Sequence, residues 1–198
     1  CYIGLGELTA EATSRLISQT LGVKKLPFQV VDLVLQKAEG HPLYSEQMAY
    51  ALRDGGTLII EDGVCRLNAK ARGIDSFDFP DTLQGLITSR IDRLTPEQQL
   101  TLKVASVIGR TFSFQTLSDV YPFDSDGLRT HLNRLEELDI TMIQLPEPDL
   151  TYMFKHIVMQ EVVYNLMLFT QRRQLHRSVA QWYEESYHDD LESFYPLL

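Results

Sequence analysis

The sequence predicts a mainly α-helical chain that carries two short β-hairpins. Apolar residues recur at three- and four-residue spacing through most of the 198 residues, which is typical of amphipathic helices. Helix-starting and helix-ending residues separate these stretches. Only "TLIIEDGVCRL" and "ITMIQLPEPDLTYMF" change to short β-rich runs joined by turn residues, and each predicts a hairpin.

Three helices are predicted before the first hairpin. The first begins after Thr9, a predicted cap, and ends at Gly22, which tolerates the left-handed backbone of a helix end. The second ends at Gly40, and the third begins at Pro42, which has no N–H to leave unpaired in a first turn. Only His41 separates them, so a tight corner is expected. The predicted inward residues are Ala12, Leu16 and Leu21, then Val31, Leu35 and Ala38, then Tyr44, Met48, Ala51 and Leu52.

The first hairpin is predicted to turn at Asp62 and Gly63. A polar connection, "AKARGIDSFDF", follows it, and we place a domain boundary there. The predicted organisation is a first domain over residues 1–75, a second over residues 76–165, and a helical linker over residues 166–198.

The second domain is predicted to be a winged helix. After the helix in "PDTLQGLITSRIDRL", Thr95, Pro96 and Gln98 form a strong helix opening with a capping box. A short helix in "FSFQTLSDVY" and a third helix follow, and the second hairpin comes next. Three helices followed by a hairpin is the order of a winged helix. The third helix repeats leucine at Leu128, Leu132, Leu135 and Leu138.

Two more helical stretches end the chain, "HIVMQEVVYNLM" and "TQRRQLHRSVAQWYEESY". Leu175, Val179, Trp182 and Tyr183 give the last one an apolar face that could begin an array of helical repeats. The chain itself contains no repeat of 20–50 residues.

Composition excludes several classes of protein. The net charge of −9 argues against nucleic acid or an anionic membrane as the main partner. No apolar run approaches the roughly 20 residues of a membrane span, and no signal peptide is visible. Cys1 and Cys65 are isolated, which fits a reducing cytoplasm and offers no metal site. Because the chain does not start with Met, we expect it to be a piece of a longer cytoplasmic protein.

Motifs for independent nucleotide chemistry are missing. Gly4 and Gly6 begin a dinucleotide-binding pattern, but Thr9 stands where its third glycine belongs. No GxxxxGKS or GxxxxGKT sequence occurs, so the chain has no P-loop of its own. We therefore expect no catalytic residue and no metal ligand within these 198 residues.

Two candidate binding features remain. The Gly40-His41-Pro42 corner would present free N–H groups and a rigid proline ring at a helix start. His156 follows the second hairpin, at the start of a helix whose dipole favours negative charge. From their chemistry alone, an ordinary corner and a capping or half-buried histidine explain both features.

The ordered set of segments resembles a known family. "AEGHPLYSEQM", "PDTLQGLITSRIDRLTPEQQLTLKVASVIGRTF", "FKHIVMQEVVYNLM" and "QRRQLHRSVAQWYE" are similar, in that order, to segments of STAND-class signalling ATPases. They are most similar to the AAA-like ATPase region of large class III adenylate and guanylate cyclases and related kinases or regulators. The resemblance covers nearly the whole chain, which corresponds to the small helical lid and the winged helix that follow a P-loop core.

The resemblance implies a shared nucleotide site for ATP or ADP, with Mg²⁺ held mainly at the P-loop core. It assigns Gly40 and Pro42 to a G-x-P element whose proline packs near the adenine, and His156 to a phosphate contact in the ADP-bound form. The family often has Asp after this histidine, whereas this chain has Ile157, which puts an Asp-dependent lock in doubt. Arg90 matches a frequent position without an assigned role.

The same resemblance implies partners. Two of them are domains of the same protein: the P-loop core and an effector domain, expected to be a nucleotide cyclase. A protein inducer is expected to bind downstream repeats, and the protein is expected to oligomerise on activation. Two alternatives stay open: a DNA-binding winged-helix regulator, and an adaptor that binds a partner through residues 171–187. A P-loop within about 200 residues before Cys1, one domain's length, would decide for the ATPase.

Overall fold

The computed structural model describes residues 6–68 and 79–187, and this part of the chain is mainly helical. It divides into two compact units, Cys1–Arg90 and Ile91–Leu198. The predicted boundary at residue 75, Gly4, Cys1 and the predicted linker beyond residue 187 lie outside the described residues. The first unit contains the helices α1 (Ala10–Thr20), α2 (Phe28–Ala38), α3 (Pro42–Asp54) and α4 (Leu83–Ile91), and the strands β1 (Leu58–Glu61) and β2 (Val64–Leu67).

The first helix begins as the sequence predicts, but its buried face is shifted by one residue. The Thr9 hydroxyl accepts a hydrogen bond from the Ala12 N–H at 3.2 Å. Thr13 and Ile17 are fully buried, whereas the predicted Ala12 and Leu16 are half-buried; the predicted Leu21, just after the helix, is buried. Apolar residues at adjacent positions allow two neighbouring faces, and packing against α3 selects between them.

The same shift occurs in α2, where the buried residues are Val30, Val34 and Ala38. Of the predicted set, Val31 and Leu35 are half-buried and Ala38 is fully buried. Because "VVDLVL" is apolar at paired positions, periodicity alone cannot decide which of each pair faces the core.

The centre of the first unit is α3, which packs against α1, α2 and β1. Its buried residues include Ser45 and Gln47 as well as the five residues 48–52, so burial extends beyond one stripe. The predicted inward residues Met48, Ala51 and Leu52 are buried, and Tyr44 is half-buried. A helix surrounded on several sides buries more than the narrow face that periodicity reveals.

The predicted hairpin is confirmed. Strands β1 and β2 pair antiparallel, with Glu61 opposite Val64. Asp62 and Gly63 have φ angles of 50° and 72°, which is the left-handed pair that a two-residue hairpin turn requires.

The second unit alternates helices with a small sheet. Its strands form one antiparallel sheet in the order β3-β5-β4. The three-residue strand β3 is too short for sequence periodicity to reveal, and it was not predicted. The elements are α5 (Pro96–Ile108), β3 (Thr111–Ser113), α6 (Phe114–Val120), α7 (Leu128–Glu137), β4 (Thr141–Leu145), β5 (Thr151–Phe154), α8 (Ile157–Asn165) and α9 (Phe169–Ser186).

The opening of α5 is the capping box that the sequence predicts. The Thr95 hydroxyl accepts from the Gln98 N–H at 3.3 Å, and the Gln98 side chain accepts from the Thr95 N–H at 3.1 Å. Each half satisfies an N–H group that the first helical turn cannot pair. This opening fixes where α5 begins after α4.

Aromatic rings of the sheet and leucines of α7 build the core of the second unit. The Phe112 ring centroid lies 6.0 Å from that of Tyr152 and 5.8 Å from that of Phe154. In α7 the predicted apolar repeat is buried at Leu128, Leu132 and Leu135, while Leu138 is half-buried.

Most of α9 is exposed, and Val179 is its fully buried residue. Trp182 Nε1 donates to Asp119 Oδ2 at 3.0 Å, which joins α9 to α6. The hydroxyl of Tyr164 lies 3.0 Å from Nε2 of His176. None of the helices in the described part combines the length and the hydrophobicity that crossing a bilayer requires.

Candidate functional site

The corner between α2 and α3 is held by a close backbone contact. Glu39 and Gly40 both have left-handed backbones, with φ angles of 47° and 78°. The Gly40 carbonyl accepts a hydrogen bond from the Leu8 N–H at 2.9 Å. A Cβ atom on residue 40 would lie 2.7 Å from the Leu8 carbonyl oxygen. Glycine is therefore required here for its backbone angle and for its size.

The first turn of α3 faces outward. His41 caps the helix with an extended backbone, and its side chain makes no capping hydrogen bond. Its carbonyl instead accepts from both the N–H and the hydroxyl of Ser45, at 3.0 and 2.9 Å. Pro42 occupies the first helical position, and both His41 and Pro42 are exposed.

A cleft of about 510 Å³ opens beside this corner. Ala38, Pro42 and Leu43 supply apolar surface, and Lys37, Glu39, His41, Tyr44 and Asp81 supply polar groups. Its volume falls within the range of about 300–1,000 Å³ that is usual for small-molecule sites.

Tyr44 closes one side of the cleft. Its hydroxyl donates to the Pro80 carbonyl at 2.7 Å, which ties the chain before α4 to α3. Burial, and secondarily the charge of Asp81, raises the pKa of the Tyr44 hydroxyl. Lys37 Nζ lies 3.8 Å from the Asp81 carboxylate, and both side chains are largely exposed.

His156 belongs to the second unit, where it caps α8. Its backbone is extended, with φ −129° and ψ 139°, and its carbonyl accepts from the Met159 N–H at 3.0 Å. The side chain is half-buried, and its Nε2 atom is buried. A contact between Nε2 and a phosphate would therefore require the ring or its surroundings to move.

Of the three predicted site residues, Gly40 and Pro42 lie together at one corner of the first unit, and His156 lies in the second unit. Within residues 6–68 and 79–187, no group of three or more His, Cys, Asp or Glu side chains could hold a metal ion. Cys65 is buried, and burial raises the pKa of its thiol.

Arg90 had no predicted role. Only 2% of its surface is exposed. Its Nε donates to Asp54 at 3.0 Å, and its Nη1 donates to Gln47 at 2.6 Å. The guanidinium lies 4.7 Å from the Tyr50 ring centroid. Burial lowers the pKa of Arg90, and the Asp54 charge partly opposes this change.

A sequence signal for this burial exists. Arg90 follows Leu86 by four residues and Ile87 by three, so it lies on the buried face of α4. A charged side chain on an apolar face needs a partner. The sequence does not reveal that the partner comes from α3.

Part of the first unit is similar to a known domain family. Residues 9–66 match a domain of unknown function (DUF8739). The DUF8739 match spans α1 to α3 and most of the first hairpin, so it includes Gly40 and Pro42 and excludes Arg90 and His156. Comparison with curated proteins finds no match for the chain.

Proposed function

We propose that the chain is the lid and winged-helix portion of a nucleotide-binding STAND-class ATPase, which regulates an attached effector such as a class III nucleotide cyclase. The observation that carries this proposal is the cleft at the Gly40-His41-Pro42 corner. A rigid, exposed proline stands there beside apolar and polar groups at the start of a 13-residue helix.

The lining of the cleft suits the base of a nucleotide. Pro42 and Leu43 offer apolar surface to the flat face of a purine, and Tyr44 and Asp81 offer polar atoms to its edge. The sequence has no P-loop, and the described residues hold no carboxylate cluster for Mg²⁺. ATP or ADP would thus be bound here by its base, while its phosphates and Mg²⁺ would be held by a separate P-loop core.

The order of elements in the second unit supports the winged-helix part of the proposal. Three helices, α5, α6 and α7, precede the hairpin of β4 and β5 along the chain, and the short strand β3 between α5 and α6 pairs with β5. In the proposed switch His156 would lie on the phosphate side of the ADP-bound form, and nucleotide exchange would release the winged helix. Such a switch needs only a few kcal/mol of differential binding between its states.

DNA reading is the weaker candidate because the arginines of the α7 segment have carboxylate partners. Arg129 lies 2.6 Å from Glu147, and Arg134 lies 2.7 Å from Glu137. A helix that enters a DNA groove usually offers a surplus of unpaired positive charge.

The base site is tested by adding adenosine and ADP to the 198-residue chain and recording amide chemical shifts. We expect weak binding, with a Kd of about 1 mM or higher, and shifts centred on residues 37–44. Pro42→Ala should abolish the shifts. Pro96→Ala is the matched control because Pro96 also opens a helix. Absence of shifts at residues 37–44 contradicts the base site.

The phosphate role of His156 is tested in a protein that joins a P-loop core to this chain. His156→Ala should raise the ADP release rate by about tenfold, which corresponds to a loss of about 1.4 kcal/mol. The surface variant His176→Ala serves as control. An unchanged release rate in His156→Ala would show that the phosphate role is wrong.

A further inference from the structure

The second unit contains an apolar groove of about 260 Å³ between α5 and α9. Leu100, Met167 and Leu175 line it, and Phe123 stands at its edge with 72% of its surface exposed. Lys103 adds a positive charge to the lining. A strongly exposed aromatic ring next to an apolar groove is typical of surfaces that bind a partner.

Unpaired positive charges flank this groove. Arg173 and Arg177 lie on α9 and share a neighbouring depression with Gln174, which also lines the groove. Within the described ranges, neither arginine nor Lys103 forms an ion pair.

Three other cations of the same unit contrast with these three. Arg129, Arg134 and Lys155 each lie within 2.7 Å of a carboxylate oxygen. In a chain with nine more acidic than basic residues, a groove that contains Lys103 and has Arg173 and Arg177 beside it on α9 favours a negatively charged partner.

We propose that this groove binds a short amphipathic α-helix of a partner protein, with an apolar face flanked by Glu or Asp. The groove residues on α9 are Gln171, Gln174, Leu175 and Ser178, which span two helical turns, or about 10 Å. A partner helix offers apolar side chains at the same three- and four-residue spacing. The apolar lining suits side chains better than phosphates, so the partner is a protein and not a nucleic acid. This inference does not rest on nucleotide binding.

The test uses fluorescence anisotropy with the full 198-residue chain and a labelled helical peptide of about four turns. One face of the peptide carries leucine, and its flanks carry glutamate. A matched peptide has lysine in place of glutamate. We expect the acidic peptide to bind at least tenfold more tightly, and its affinity to fall as salt increases. Equal binding of the two peptides, or no binding, overturns the proposal.

Substitutions in and beside the groove test whether the peptide binds there. The double variant Arg173→Glu, Arg177→Glu should weaken binding of the acidic peptide by at least tenfold, and Phe123→Ser by a similar factor. All three side chains are exposed, so thermal melting should remain unchanged. Arg110→Glu is the matched control for the single variant Arg173→Glu, because Arg110 is exposed, does not line the groove and undergoes the same change of charge. If Arg110→Glu weakens binding as much as Arg173→Glu does, the effect is net charge alone and the groove is wrong.

Two further measurements exclude other occupants. A chain that ends at residue 187 lacks Asp189, Asp190 and Glu192, which could compete for the cations. Unchanged affinity in this shorter chain supports an external partner, and a gain above tenfold assigns the groove to the chain's own residues instead. Displacement of the peptide by duplex DNA would likewise overturn the choice of a protein partner.

Discussion

Gly40 and Leu8 show how one contact determines the corner. The positive φ of Gly40 is common at helix ends, and the sequence predicts a glycine there for that reason. The 2.9 Å hydrogen bond from Leu8 could not be predicted, because it joins residues far apart in sequence. The corner beside the candidate site therefore depends on the segment that precedes α1.

Substitutions at Gly40 and Gly22 can separate two requirements at residue 40: a backbone with positive φ, and no side chain that would clash with Leu8. Gly22 also has a positive φ, of 65°, but open space surrounds the position of its Cβ. We expect Gly22→Ala to cost about 1 kcal/mol of unfolding free energy from backbone strain. Gly40→Ala should cost about 2–4 kcal/mol, because the clash with Leu8 adds to that strain. Urea denaturation measures both, and equal losses would contradict the close-contact argument.

The contribution of the Tyr44 hydroxyl to folding stability should depend on pH in the alkaline range. Its hydrogen bond to Pro80 exists only while the hydroxyl keeps its proton, and Tyr44→Phe should cost about 1 kcal/mol near neutral pH. Because the folded pKa is raised, this contribution is complete below the unfolded pKa of about 10 and decreases as pH rises through the folded pKa. Urea denaturation of both proteins between about pH 8 and pH 11 should show the difference shrinking. A constant difference would contradict the argument.

At the scale of elements, Arg90 joins α4 to α3. Its guanidinium contacts Asp54, Gln47 and Tyr50, all of which belong to α3. The helix that opens at Pro42 is thus fixed at its far end by a buried charge. These contacts give Arg90 a structural role, which could not be assigned from the sequence.

Removing Arg90 should destabilise the first unit strongly. Arg90→Met removes a positive charge that pairs with the largely buried Asp54 carboxylate. We expect the unfolding free energy to fall by about 3 kcal/mol. Adding Asp54→Asn to Arg90→Met should recover part of that loss because both charges of this pair are then gone, and the single variant Asp54→Asn measures the separate cost of removing the 2.9 Å contact between Arg53 and the same carboxylate. Hydrogen exchange can follow the change separately in residues 6–68 and in residues 91–187. A double variant no more stable than Arg90→Met would show that the ion pair is not the cause.

The positions of helices are more predictable than their faces. The caps at Thr9 and Thr95 and the turn at Asp62 were predictable because they depend on residues within four positions of each other. The buried faces of α1 and α2 were predicted only in part: Leu21 and Ala38 are buried as predicted, but Ile17 and Val34 are buried in place of Leu16 and Leu35, because adjacent apolar residues leave periodicity ambiguous. Long-range packing decides such cases, and the sequence pattern does not contain it.

At the scale of the whole molecule, charge constrains the choice of partner. The chain has 27 acidic and 18 basic residues, and the cations of the α7 segment are paired with carboxylates. The sequence shows this excess of acid directly. The pairing of Arg129 with Glu147, which lie 18 positions apart, is visible only in the structure.

We expect the chain to pass through an immobilised duplex DNA column at about 0.15 M ionic strength, because its net charge repels phosphate. Arg110→Glu, which makes the chain still more acidic, should elute at the same salt concentration. Salt-dependent retention of the natural chain, reduced in Arg129→Glu, would instead favour the DNA-binding alternative.

The hydrogen bond between Leu8 and Gly40 also determines how the first unit would respond to a pulling force. Tension applied to the chain at Glu7 would reach this hydrogen bond before it reached the packed helices, because Leu8 precedes α1 and is bonded directly to the corner. Rupture there would relieve the close approach that excludes every residue except glycine. The cleft beside Pro42 is thus connected to a point at which the pull of a neighbouring segment would be felt first.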